Sequence, residues 1–64
     1  MNSICVNARS MSGFIKRLRE FRLEQHRLGN EILAEKIYKL EEDCLFDNHL
    51  SLSSAKHRLV KILD

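Results

Sequence analysis

No proline interrupts the 64 residues, and glycine occurs only at positions 13 and 29. A chain this poor in both residues has few means of making tight turns, so its backbone is left to run in regular segments. Leu, Glu, Lys, Arg and Ile dominate the composition, which is that of helices and not of strands. The sequence predicts an all-α fold: two to three amphipathic helices in a helical hairpin or small bundle, completed by dimerisation.

Apolar spacing gives the helices their places. Phe14, Leu18, Phe21 and Leu28 fall at steps of 4, 3 and 7, with polar Gln25 in the skipped position and Ile32 extending the seam. Ile15 and Leu23 widen the stripe on either side. A second seam, Leu33, Ile37, Leu40 and Cys44, repeats at 4, 3 and 4 in a shifted register. The phase breaks at Gly29. Gly29 as C′ and Asn30 as the next N-cap would end one helix and start another. The competing reading is one long helix that tolerates Gly29 at about 1 kcal/mol, and the phase shift favours the break.

Ser10 or Ser12 can cap the first helix, and Ser51 or Ser53 can cap a third that carries Leu52, Ala55, Leu59 and Ile62. Lys61, near its end, suits the helix dipole. Residues 1–12 show no helical period and read as a flexible or extended N-terminal arm, leaving 13–64 as the helical domain.

Charge is arranged in blocks. Residues 1–29 carry six basic side chains against two acidic ones, 30–48 carry six acidic against two basic, and the remainder returns to a net of +2. Alternating blocks favour antiparallel packing of helix on helix, within a chain or between chains. A chain this short buries only roughly 60% of the surface it exposes when unfolded. Its apolar stripes are wider than one neighbouring helix covers, so some of that surface is expected to bind a second copy or another protein. A self-contained three-helix bundle is the alternative. The residues assigned to such a contact are Phe14, Leu18, Phe21, Gln25, Leu28, Ile32, Leu33, Ile37 and Leu40. Gln25 either fixes register there or points to solvent.

Sites of chemistry are not organised in the sequence. Cys5, Cys44, His26, His49 and His57 form no CxxC or HxxxH pair, and Cys44 fits better as a small buried residue of the second seam. Glu41, Glu42 and Asp43 read as a solvated helix face, because paired carboxylates need a cleft to do acid–base work. No catalytic, cofactor or metal site is expected. Lys16, Arg19 and Arg27 can lie near one side of the first helix and touch phosphates, but Glu20 and Glu24 interrupt them, so DNA contact is expected to be weak or indirect. No apolar run approaches the roughly 20 residues of a membrane span. With no secretory leader pattern, the expected location is the cytoplasm.

Two sets of residues resemble small bacterial regulators. Phe14-Ile-Lys-Arg-Leu-Arg19, Asp47-Asn48-His-Leu50 and Ala55-Lys-His-Arg-Leu59 resemble, in order, three segments of the Hha/YmoA family of helical modulators that act through the nucleoid protein H-NS. Lys56 stands where that family has an acid, and its aromatic C-terminal helix has no counterpart. Leu23-Glu24 followed by Gly29 and Ala34 is similar to a pattern in the AraC-negative-regulator proteins, which inhibit AraC-type activators by direct contact. Both resemblances imply a small helical protein that modulates transcription, by repression, through a transcription regulator or nucleoid protein. A secretion-type chaperone shielding a helical partner and an autonomous DNA-binding protein are the alternatives.

Overall fold

In the computed structural model, which describes residues 8–64, three helices follow one another: α1 (Met11–Arg27), α2 (Glu31–Phe46) and α3 (Leu52–Leu63). The first starts at Ser10, whose extended backbone leads into the helix while its Oγ accepts the Gly13 amide hydrogen at 3.1 Å. A Cβ at Gly13 would sit 3.2 Å from the same Oγ, so the serine side chain would have to give by a few tenths of an ångström. Met11 and Ser12 are therefore helical, so the helical domain begins two residues before the expected boundary. Of the arm, residues 8–10 are described; Ala8 is buried, and its carbonyl accepts from Lys56 Nζ at 2.7 Å. The rest of the arm and Cys5 lie outside the described residues.

Gly29 does break the chain into two helices. Its φ is +87°, in the region that favours glycine. Its amide donates to the His26 carbonyl at 3.1 Å, and the Asn30 amide to the Gln25 carbonyl at 2.8 Å. These two bonds form a Schellman motif, which satisfies carbonyls that the end of α1 would leave open. An apolar contact usually closes this motif between the third-last helical residue and the residue after the glycine. Here a polar one does, since Asn30 Nδ2 donates to Gln25 Oε1 at 2.8 Å. Asn30 occupies the N-cap position of α2 without a side-chain capping bond, contrary to the expectation that it caps.

Asp47 turns the chain out of α2, with its carboxylate accepting the His49 amide at 2.9 Å. Ser51 then caps α3 through the Ser54 amide at 3.1 Å. The core is built where the three helices meet. Phe14, Leu18, Ile37 and Leu40 are fully buried, joined by Ala8, Cys44, Ala55 and Leu59. Complete burial of each large side chain is worth about 1.5–3 kcal/mol. The radius of gyration, 10.8 Å, matches the roughly 11 Å of a compact chain of this length, so α3 folds back onto the hairpin.

Candidate functional site

The structure divides the nine expected contact residues into three groups. Phe14, Leu18, Ile37 and Leu40 have no exposed surface and form the chain's own core, so they are not a contact face. The reason is that the two seams satisfy each other across the α1–α2 hairpin. A charged residue at Leu18 would therefore break the fold and would report nothing about an interface. Phe21 and Leu33 are half-buried and pack against the core edge. Gln25, also half-buried, is engaged in closing the turn through Asn30.

Leu28 and Ile32 remain as surface. They flank Gly29 at the tip of the hairpin and are 58% and 75% exposed. Because Asn30 and Gln25 close the Schellman turn with a polar contact, neither aliphatic side chain is drawn into it. Beside them Gly29, Asn30, Ile32, Leu33 and Lys36 line an open depression of about 700 Å³. The surrounding charges are already arranged in pairs. His26 Nδ1 lies 2.8 Å from Glu31 Oε1 across the turn, and Arg27 lies 2.6 Å from Glu24. That second contact holds the exposed Glu24 carboxyl below its ordinary pKa, through a hydrogen bond from Arg27 and the charge of its guanidinium. The tip therefore has an aliphatic centre and a charged rim.

Arg22 and Glu41, the second of which was expected on a solvated helix face, are the main polar link between α1 and α2. Glu41 is 3% exposed, and Arg22 spans to both its oxygens at 3.2–3.4 Å while its guanidinium lies 5.1 Å from the Tyr38 ring centroid. The expected solvated face is thus corrected at Glu41, which is inside; Asp43 stays about half exposed and pairs with Arg58 of α3 at 2.8 Å. Only the basic block of α1 facing the acidic block of α2 hinted at this, as a preference for antiparallel packing.

Of the residues considered for nucleic acid, Lys16 and Arg19 are exposed on α1, whereas Arg27 is engaged by Glu24. Among the described residues no three metal-ligating side chains come together, and no helix is long and apolar enough to cross a membrane. Cys44 is buried in the core as its place in the second seam implied, and burial pushes its thiol pKa up. Other large apolar side chains that the sequence did not assign to a surface are exposed, Tyr38, Leu45 and Phe46 on α2 and Val60 on α3. No known protein family, curated protein or solved structure matches the chain.

Proposed function

We propose that this chain is a small non-enzymatic regulator that modulates transcription by binding a transcription regulator or nucleoid protein at the tip of its α1–α2 hairpin. The observation carrying the proposal is the exposure of Leu28 and Ile32 on either side of a turn that is closed without them. Two aliphatic side chains held 58% and 75% in water by a rigid turn are a standing cost that a partner's apolar surface would remove. Their rim of Glu24, Arg27, Glu31 and Lys36 carries both signs of charge, which suits recognition of a polar-edged protein surface better than a phosphate backbone. DNA contact through Lys16 and Arg19 is secondary in this reading, and self-association is part of it.

The choice of partner follows the resemblance of the three sequence blocks to H-NS-dependent modulators and of the Leu-Glu, Gly, Ala pattern to inhibitors of AraC-type activators. Calorimetric titration of the purified chain with the two candidate partner types, a nucleoid protein and an AraC-type activator, tests it. One of them is expected to bind, with Leu28→Glu and Ile32→Glu each weakening the affinity about tenfold or more. Binding of neither, or binding untouched by both substitutions, would overturn the proposal. Capture of a secreted helical subunit instead would favour the chaperone reading.

A further inference from the structure

The hairpin has a second surface, distinct from the tip. In α1 the row one residue beyond the core seam is Ile15, Arg19, Arg22 and His26, spaced 4, 3 and 4; in α2 it is Ala34, Tyr38, Glu41 and Leu45, spaced the same way. One residue turns a helix by about 100°, so each row lies beside its core row. Between them Arg22, Leu23, His26, Ala34, Glu35 and Tyr38 line an open groove of about 530 Å³. The third helix lies on the other side, because its Arg58 reaches Asp43, a position about 200° around α2 from Glu41. Leu23, Tyr38 and Leu45 accordingly stay about half exposed.

We propose that a second copy of this chain occupies this groove, the two hairpins packing face to face about a two-fold axis parallel to their helices. That axis sets α1 of each protomer antiparallel on α2 of the other, so all four central helices alternate in direction. Charge selects this arrangement. Helix α1 carries five cations against two anions, and α2 carries five anions against two cations. A two-fold axis running across the helices would instead lay α1 on α1 and oppose like charges.

The Arg22–Glu41 ion pair fixes the level of α1 against α2. Arg19 lies about 4.5 Å from Arg22 toward the start of α1, and Glu42 about 1.5 Å from Glu41 toward the end of α2. In antiparallel helices these displacements have the same direction. Exposed Arg19 therefore meets Glu42 of the partner subunit, and the pairing occurs twice. Tyr38 and, at the edge of the face, Leu23 supply apolar contact, Ala34 lets the helices approach, and Glu41 brings no uncompensated charge because Arg22 already holds it. A face about 25 Å long and two helices wide is of the scale that supplies the roughly 800 Å² per partner of a standard interface. This inference deepens the self-association of the proposed reading, but Leu28 and Ile32 do not line the groove, so dimerisation and the binding of a regulator at the tip succeed or fail separately.

Sedimentation equilibrium on the full chain, from micromolar to millimolar, decides it with Arg19→Glu, Glu42→Arg, the double reversal and the tip variant Leu28→Glu/Ile32→Glu. Circular dichroism verifies that each is folded. The wild type and the tip variant are expected to dimerise alike. Each single reversal should raise the dissociation constant about tenfold or more, since symmetry repeats the clash, and the double reversal should restore it to within about threefold. A chain that stays monomeric throughout, a dimer indifferent to both reversals, or a double reversal no better than its parents would overturn the proposal.

Discussion

Removing Arg22 should damage the fold more than removing Glu41, and removing both should damage it least. The Glu41 side chain is 4% exposed, so in Arg22→Met its carboxylate is left inside with no cation and no route to water. Breaking a buried pair in this way costs about 3–5 kcal/mol, and the lower end applies because Arg22 itself is 24% exposed. In Glu41→Leu the guanidinium can take up water and keep its place over Tyr38, so the loss falls to about 1 kcal/mol. The double variant puts two apolar side chains of similar volume across the hairpin and should lie within about 1 kcal/mol of wild type. A chain of this length has a total stability of about 3–10 kcal/mol, so the first loss alone approaches unfolding. Urea denaturation followed by circular dichroism reads all four proteins. With a slope of about 1 kcal/mol/M, the Arg22→Met midpoint should fall by about 3 M, or the protein should not fold. If the two single losses simply add in the double variant, the pair is not coupled and the reasoning is wrong.

Gly29→Ala should cost about 1–2 kcal/mol by thermal unfolding, all of it backbone strain, because φ is +87° and an added Cβ would meet nothing within 4 Å. Gly29→Asn should recover part of that loss; equal losses in the two variants would argue against a left-handed conformation there. Burial raises the Cys44 pKa, so the folded state holds the thiol proton more tightly than the unfolded chain. The stability this contributes is present below the ordinary thiol range and is lost as the pH rises through the folded pKa. Alkylation of Cys44, followed by peptide mass mapping at mildly alkaline pH, should be slow in buffer and fast in urea, and equal rates would contradict its burial.

Helix boundaries were legible because they depend on neighbours in sequence. Ser10 and Ser51 were among the expected caps, and Gly29 was marked by the change of seam register. The destination of the seams was not legible, since Phe14 and Ile37 present the same pattern whether the facing helix belongs to the same chain or to another. The expectation gave the inner four residues to a partner, whereas the chain keeps them and exposes the two beside the turn. Gln25 stood in a core register but serves the turn, through an Asn30 contact that spacing rules do not anticipate. Glu41 was hidden for a related reason. A carboxylate in an acidic run reads as solvated until the cation nineteen residues earlier is known to face it.

Mapping of backbone amide chemical shifts during titration with the bound regulator tests the central claim most directly. If the tip of the hairpin is the binding surface, the largest changes fall on Leu28, Gly29, Ile32, Leu33 and Lys36, while the amides of α3 stay nearly unmoved. Changes centred on α3, or on the outer face of α1 around Lys16 and Arg19 with the tip silent, would contradict the account.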